Sequence, residues 1–140
     1  MIAADLEAFR ASARAFAAEV HPPLLVLLSG NLGAGKTTFV SEVLKAWGIE
    51  GANSPTFNLR NDYDTATFHV IHLDFYRLKP NDNALDLLPP DADYSATVVF
   101  AEWPEKVHPH LFQPFAERTH ITIEITADDS RRLSFAGVTV

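Results

Sequence analysis

Residues 30–38 combine three glycines with a lysine and two threonines at the spacing of a phosphate-binding loop. Gly30, Gly35, Lys36 and Thr37 occupy the fixed positions of the pattern G-x-x-x-x-G-K-[ST]. Glycines let backbone N–H groups wrap a phosphate chain, because they tolerate positive φ and close approach. The lysine would reach the β- and γ-phosphates, and the threonine hydroxyl would ligate Mg²⁺. The stretch therefore predicts a P-loop that opens a helix, and its candidate ligand contacts are Gly30, Asn31, Leu32, Gly33, Ala34, Gly35, Lys36, Thr37 and Thr38.

Two acidic residues follow strand-like runs and could serve the metal or the attacking water. Asp74 follows the apolar-rich run V-I-H-L at 70–73, and Glu102 follows V-V-F-A at 98–101. Acids at the carboxyl ends of strands lie where ligands bind in open α/β sheets, and phosphoryl chemistry with Mg²⁺ needs such an acid. Either residue could instead be a solvent-facing acid that closes a strand. The residues by themselves do not divide the two roles.

Other residues could act on a nucleotide or have an ordinary structural role. Ser54 and Thr56 lie on a loop after the P-loop helix, where hydroxyl groups could sense a γ-phosphate, although a plain turn is the alternative. Trp103 could stack on a base or anchor a partner, but core packing is the simplest interpretation. His72 shares a strand face with Asp74 and is equally consistent with a half-buried structural histidine.

Arginines and the remaining histidines give weaker signals. Arg77 could pair with a phosphate, but an exposed arginine beside a helix start explains it equally well. Arg131 and Arg132 follow two aspartates and most simply form a solvated turn. The histidines other than His72 show no metal-ligand spacing.

Hydrophobic periodicity predicts the elements that would position these residues. The predicted helices are 4–20, 35–47 and a short one over 80–88, and the predicted strands are 24–29, 56–63, 68–74, 96–101, 119–126 and 131–138. The polar gap between the strands 56–63 and 68–74 is too short to join parallel strands and indicates a hairpin. We therefore expect an α/β P-loop NTPase fold with a mixed central sheet flanked by helices. The first helix should bury a stripe that includes Leu6, Phe9 and Ala13.

Composition bounds the class of protein. A chain of 140 residues, 47% hydrophobic and 21% charged, predicts one globular domain over residues 1–140. The longest apolar run, 24–28, cannot span a bilayer, and the N-terminus has no basic region followed by an apolar block, so a cytoplasmic location is expected. The absence of cysteine excludes disulfides and zinc–thiolate sites. A net charge of −7 argues against gripping RNA directly, so a partner would hold any RNA.

Four blocks in order resemble the TsaE family, also called YjeE. They are S-G-N-L-G-A-G-K-T-T at 29–38, N-S-P-T-F at 53–57, H-L-D-F-Y-R-L at 72–78 and E-W-P-E at 102–105. The P-loop alone is unspecific, whereas its combination with the other three blocks is highly specific. That family is the small P-loop ATPase of bacterial tRNA threonylcarbamoyladenosine biosynthesis.

The resemblance implies ATP and Mg²⁺ as ligands and a weak ATPase activity that depends on a complex with the TsaD and TsaB proteins. TsaD carries out the threonylcarbamoyl transfer in the family, so tRNA would be reached only through the complex. By motif, Lys36 and Thr37 serve the phosphates and Mg²⁺, Glu102 matches the metal-binding acid, and Asp74 matches the acid implicated in hydrolysis. The other nucleotide contacts that the resemblance implies are Ser54, Thr56, Trp103 and Arg131.

The sequence departs from the family pattern in two places. The acidic helix that usually follows Arg77 is replaced by N-D-N-A at 81–84 and by Pro89–Pro90, so this region is expected to meet its partner differently. Family members often carry Thr or Ser in the first helix near the base, where this chain has Phe9, so no nucleotide contact is predicted there. Neither departure touches the phosphate chemistry.

Two functions compete with a partner-dependent ATPase in which Lys36 and Asp74 are the catalytic residues. A small-molecule kinase would need an arginine-bearing lid and an acceptor pocket, and 11 scattered basic residues argue against it. A nucleotide-gated binding module would use ATP occupancy to control docking, with turnover incidental. Substitution of Asp74 or Glu102 separates this module from an ATPase.

Overall fold

The computed structural model describes residues 1–139, and in that range seven strands form one mixed sheet. The strands are β1 Ile2–Ala3, β2 Leu24–Ser29, β3 Arg60–Asp64, β4 His69–Asp74, β5 Thr97–Glu102, β6 Glu117–Ile125 and β7 Arg131–Thr139. The helices are α1 Leu6–Glu19, α2 Lys36–Ala46 and α3 Ala84–Leu87. The strand order across the sheet is β1-β7-β6-β2-β5-β4-β3.

The centre of the sheet is parallel and its edges are antiparallel. β2 lies parallel to β5 on one side and to β6 on the other, and β4 lies parallel to β5. β3 pairs antiparallel with β4, as β7 does with β6 and β1 with β7. The predicted mixed sheet and both hairpins are therefore confirmed. The continuously apolar strands take the central places, as expected for strands that are covered on both faces.

Helices α1 and α2 cover one face of the sheet. Phe9 of α1 meets Phe39 of α2 edge to face, with ring centroids 6.1 Å apart, and both rings pack into the core that contains Phe100 of β5. Asp5 caps α1, because its carboxylate accepts the N–H of Ala8 at 2.8 Å. This packing fixes the start of α2 at the carboxyl end of β2. Within residues 1–139 the longest helix, α1, has 14 residues, and none is long and apolar enough to cross a membrane.

The opposite face of β2, β4 and β5 is covered mainly by the segment 75–115, not by long helices. The helix predicted over 80–88 is reduced to the single turn α3, which Asn83 caps by accepting the N–H of Leu85 at 3.0 Å. Pro89–Pro90 prevents its extension. The second core on this face includes Leu25, Ile71, Leu73, Phe75, Leu88, Val99, Leu111 and Phe112.

Several boundaries differ from the sequence prediction. β3 begins at Arg60 and not at residue 56, because the Leu59 N–H donates to the Pro55 carbonyl at 2.8 Å and Leu59 adopts a positive φ of 67°, which makes 55–59 a turn. β5 extends one residue further than predicted and ends on Glu102. β1 was not predicted, since two residues are too few for a periodic pattern. Leu6, expected on the buried stripe of α1, is instead 54% exposed and lines a cavity beside the P-loop.

Candidate functional site

The loop between β2 and α2 requires glycine at its first position. Gly30 has a φ of 154°, and a Cβ there would lie 2.4 Å from the carbonyl oxygen of Ile123. Gly33 and Gly35 have φ values of 82° and 117°, which side chains rarely tolerate. The loop is thus pressed against the end of β6. The first residues of α2 then line a cavity, and the N–H groups of a first helical turn have no intrahelical acceptor.

Lys36 is the first residue of α2, and its ammonium group folds back over the loop. Its Nζ donates to the carbonyl oxygens of Gly30 at 2.5 Å and Asn31 at 3.0 Å. The same atom lies 4.4 Å from the centroid of the Trp103 ring. Burial lowers the pKa of Lys36, and the neighbouring charge of Glu102 opposes that shift. The arrangement holds a cation at the base of the cavity.

Thr37 and Glu102 form the polar link between α2 and β5. The Thr37 hydroxyl lies 2.9 Å from Oε1 and 3.1 Å from Oε2 of Glu102 and donates to this carboxylate. The second neighbour of the carboxylate is His72, whose Nε2 lies 2.6 Å from Oε2. Glu102 is 2% exposed and His72 is 1% exposed. A half-buried hydroxyl and a buried carboxylate are thereby held together at the wall of the cavity.

Asp74 ends β4 directly beside Glu102, which is its register partner on β5. Its carboxylate accepts the N–H of Tyr76 at 3.0 Å and lines the same cavity as Lys36. Burial raises the pKa of Asp74; the Tyr76 N–H opposes that shift and the charge of Glu102 adds to it. Parallel register has therefore placed two carboxylates at one edge of the sheet.

Trp103 turns the chain sharply at the end of β5. It has φ 58° and ψ 49°, a left-handed conformation that costs a non-glycine residue about 1–3 kcal/mol. The turn carries the indole over Lys36 and against Tyr76, whose ring centroid lies 4.9 Å away. The Nζ atom of Lys106 lies 5.2 Å from the centroid of the Tyr76 ring. Trp103 is thus part of the cavity wall and also packs, partly buried, against the second core.

These groups surround a cavity of about 300 Å³ between the P-loop and the ends of β4 and β5. Its lining residues are Leu32, Gly33, Gly35, Lys36, Thr37, Thr38, Thr56, Asp74, Tyr76, Arg77, Glu102 and Trp103. Gly30 and Asn31 contribute their carbonyl groups to Lys36 from behind the wall. The structure therefore gathers most of the sequence-predicted site residues in one place.

Three predicted residues lie elsewhere. Ser54 is exposed, and its hydrogen bond to Thr56, 2.5 Å between the hydroxyl oxygens, connects it to the cavity wall. Ala34 and Arg131 lie on the other side of the P-loop, where Nε of Arg131 donates to the Ala34 carbonyl at 2.9 Å. They line a second cavity of about 370 Å³ that also touches Gly33, Gly35 and Thr38.

Sequence reasoning gave no site role to several lining residues, of which Phe9 and Tyr76 are the two aromatic ones. Phe9, for which no nucleotide contact was predicted, lines the second cavity and lies against Gly35, where an added Cβ would be 3.0 Å from its Cζ. Tyr76 belongs to a recognised block but had no role assigned, and it lines the first cavity. The spacing D-x-Y was a usable signal for Tyr76. No sequence signal linked Phe9 to the loop.

The polar groups around the first cavity are of the kinds that bind a phosphate chain together with Mg²⁺. The N-terminus of α2 and the Lys36 ammonium favour an anion. Carboxylate and hydroxyl oxygens are the kind of ligand that Mg²⁺ takes, usually together with substrate phosphate oxygens. The residues present therefore fit both groups.

Comparison with known proteins agrees with this geometry. The family model of threonylcarbamoyl adenosine biosynthesis protein TsaE matches residues 3–133. A tRNA threonylcarbamoyladenosine biosynthesis protein TsaE from Rickettsia bellii is 38% identical over 121 residues, 85% of this chain and 81% of that protein. The protein of the same name from Bacillus subtilis is 34% identical over 133 residues, 94% of this chain and 81% of its own.

A solved structure extends the match to the fold. The crystal structure of YdiB from Bacillus subtilis superposes with a TM-score of 0.69 and 28% sequence identity, over 97% of this chain and 82% of that one. The mixed sheet with its flanking helices is thus the P-loop NTPase fold of that protein. By family model, by close relatives and by fold, this chain belongs to the TsaE family.

Proposed function

We propose that this protein is the ATP-binding and ATP-hydrolysing subunit of tRNA threonylcarbamoyladenosine formation. The observation that carries the proposal is the convergence of Lys36, Thr37, Glu102 and Asp74 on one cavity at the start of α2. The names of the relatives place those proteins in this biosynthesis. The tRNA reaction would take place in the cytoplasm.

The phosphate chain of ATP is expected to lie along the P-loop with its γ-phosphate in the first cavity. Lys36 would turn its ammonium from the Gly30 and Asn31 carbonyls towards the β- and γ-phosphates. The backbone N–H groups at the start of α2 would bind the remaining anionic oxygens. Thr56 lines this cavity, so it would sense the γ-phosphate and pass that contact to Ser54 through their shared hydrogen bond.

Thr37 and Glu102 would hold Mg²⁺. Their oxygens are already adjacent, at 2.9 and 3.1 Å, and need no rearrangement of the strands. A bound Mg²⁺ would neutralise charge that builds on the β- and γ-phosphates. The Thr37 hydroxyl donates to Glu102 and the Asp74 carboxylate accepts the Tyr76 N–H through one oxygen, so Asp74 would accept a hydrogen bond from the attacking water and orient it.

The nucleoside would lie in the second cavity, on the other side of the P-loop. The two cavities share Gly33, Gly35 and Thr38, so a nucleotide can thread from one to the other past the glycines. Arg131 lines this cavity and would approach the sugar or the α-phosphate. Phe9 would supply an apolar surface beside the base.

Partner proteins would complete the first cavity. Its mouth carries Leu32 and Tyr76, which are 67% and 37% exposed, and next to Thr56 stands Phe57, which is 87% exposed. Exposed apolar side chains around a polar site are typical of a surface that another protein covers. We propose the TsaD and TsaB proteins as those partners, with tRNA held by the complex because this chain has a net charge of −7.

The testing experiment measures ATP hydrolysis and tRNA modification with and without TsaD and TsaB. Lys36→Ala should lower turnover by about 10²–10³, as removal of a preorganised charge at a transition state does. Lys45→Ala, an exposed lysine near the end of the same helix, is the matched control and should behave like wild type. A wild-type rate that the partners leave unchanged would contradict the partner-dependent part of the proposal.

A second experiment distinguishes an ATPase from a nucleotide-gated binding module. Asp74→Asn should keep ATP binding and partner docking but lose about 10²–10⁴ in hydrolysis. If hydrolysis is the required step, tRNA modification is lost with it, whereas a gated module keeps modification. The exposed Asp91→Asn serves as the control for an acid-to-amide change.

A further inference from the structure

His72 is a buried polar side chain that the phosphate and metal chemistry leaves without a role. It lies in the middle of β4, is 1% exposed, and has Phe100 of β5 as its register partner. Burial of a polar ring is unfavourable unless a hydrogen bond compensates. An apolar residue would pack among these neighbours without that cost. The contacts of the imidazole ring should therefore explain why a histidine is buried at this position.

The partner of His72 is the carboxylate of Glu102. Nε2 lies 2.6 Å from Oε2, and both atoms belong to residues that are almost completely buried. A carboxylate accepts hydrogen bonds and cannot donate them, so Nε2 carries the proton and donates. From the other side the Thr37 hydroxyl donates to the same carboxylate. Glu102 is thus held by two donors, from β4 and from α2.

Without the donor from β4, only the Thr37 hydroxyl would orient Glu102. The Lys36 ammonium is a nearby cation whose charge interacts with Glu102. A carboxylate released on one side would turn towards that cation, away from the threonine. The two oxygen groups that suit Mg²⁺ would then no longer stand together.

We propose that His72 is a positioning residue that holds Glu102 against Thr37 and thereby sets the affinity for Mg²⁺. The inference rests on the proposed function, since it concerns the same metal-dependent nucleotide site. Hydrogen-bond partners behind metal-binding residues commonly change metal affinity by 10- to 100-fold when they are removed. His72 acts only through Glu102 and is not placed in contact with the nucleotide.

The experiment uses His72→Gln and His72→Asn as a matched pair. The amide nitrogen of Gln stands as many bonds from Cβ as Nε2 of histidine and can donate to Glu102, whereas the amide of Asn is one methylene too short. Binding of a fluorescent ADP analogue is measured in EDTA and then along a Mg²⁺ titration, and thermal unfolding is followed for each variant. Val70→Ala, buried on the same face of β4, controls for simple destabilisation.

In His72→Asn the Mg²⁺ concentration at the midpoint of the titration should rise about 10- to 100-fold, while the affinity in EDTA stays at the wild-type value. In His72→Gln and Val70→Ala the midpoint should stay near that of wild type. A wild-type midpoint in His72→Asn would overturn the inference. So would a parallel loss of binding in EDTA and in Mg²⁺ that Val70→Ala reproduces. If Mg²⁺ does not affect nucleotide binding in the wild type, the metal part of the proposed function fails first.

Discussion

The buried carboxylate of Asp74 destabilises the folded state, although the proposed reaction needs it. It is 7% exposed, and burial raises its pKa above the ordinary value of 3.8. An acid with a raised pKa is favoured in its protonated form by folding, so its ionisation at neutral pH destabilises the protein. The proposed orientation of water nevertheless needs the ionised form. Functional sites often retain such costs.

Asp74→Asn should therefore make the protein more stable at neutral pH while it lowers the rate of hydrolysis by about 10²–10⁴. The amide oxygen can still accept the Tyr76 N–H, and the ionisation penalty disappears. Because the contribution of Asp74 is most favourable below pH 3.8 and is lost as the pH rises through its raised pKa, the advantage of Asn should shrink on acidification. Thermal unfolding of both proteins over a pH series measures this.

The same shift should appear in catalysis. The rate of wild-type hydrolysis should fall on the acid side with a midpoint above the ordinary 3.8 of an aspartate. If the acid-side midpoint of the pH–rate profile lies at pH 3.8 or below, Asp74 is not the residue that orients the water.

At the scale of elements, the position of the P-loop depends on its contact with β6 as much as on its own residues. The Gly30 backbone approaches the Ile123 carbonyl so closely that a Cβ at Gly30 would lie 2.4 Å from its oxygen. That contact fixes where α2 starts and hence where Lys36 and Thr37 stand.

Gly30→Ala is expected to destabilise the fold by about 1–3 kcal/mol, as forced overpacking does, and to weaken nucleotide binding. Gly137→Ala is the matched control, because a Cβ there meets nothing within 4 Å, and its effect should stay within about 0.5 kcal/mol. Chemical denaturation gives both values. Equal stability of the two variants would show that the loop relaxes away from β6.

The hairpin of β3 and β4 is held at the sheet edge by a charged cluster. His69 lies 2.7 Å from a carboxylate oxygen of Asp62 and 2.7 Å from one of Asp64, and Arg60 pairs with Asp62. Burial alone would lower the pKa of His69, but the bonds to Asp64 and Asp62 together raise it above 6.5. This cluster makes the edge strand β3 pH-sensitive.

Wild type should lose stability relative to His69→Gln as the pH rises above 6.5. A raised histidine pKa gives a stabilisation that is complete below 6.5 and disappears as the pH passes through the raised value. Since His69 is 34% exposed, the change should be below about 1 kcal/mol. Urea titrations of both proteins at several pH values test this, with the exposed His21→Gln as a control that should follow wild type.

At the scale of the whole molecule, the first cavity opens on the side where exposed apolar side chains lie. Phe57 extends from the turn 55–59, and the guanidinium carbon of Arg77 lies 5.2 Å from its ring centroid. Both neighbours of this pair, Thr56 and Tyr76, line the first cavity. A partner that covered Phe57 would close the cavity over the γ-phosphate.

Phe57→Ser should reduce the stimulation of hydrolysis by TsaD and TsaB about tenfold or more, since a buried aromatic anchor commonly carries about 2 kcal/mol of binding. ATP binding by the isolated protein should not change. Ile2→Ser, at an exposed apolar site on β1, should leave the stimulation intact. A lowered ATP affinity of Phe57→Ser without any effect on stimulation would contradict the docking role. Titration of the partners in the ATPase assay measures both.

Local chemistry explains why the P-loop and much of the fold were predictable from sequence. Gly30, Lys36 and Thr37 lie within one short loop, so their spacing carries the signal. Strands β2 and β5 are continuously apolar, and the hairpins have short turns. The turn at 55–59, the reduced helix α3 and the two-residue strand β1 were not predictable, because tertiary hydrogen bonds and packing decide them.

The sequence by itself determined that the chain carries a P-loop motif and that it resembles the TsaE family, because glycine spacing and ordered motifs are local properties. Only the tertiary structure decided how Asp74 and Glu102 differ. Parallel register sets them side by side, yet Glu102 alone meets Thr37, 65 positions away in the sequence. The bond from His72, the strained turn at Trp103 and the two cavities about the P-loop likewise depend on contacts between distant segments, and no pattern of residue types encodes those.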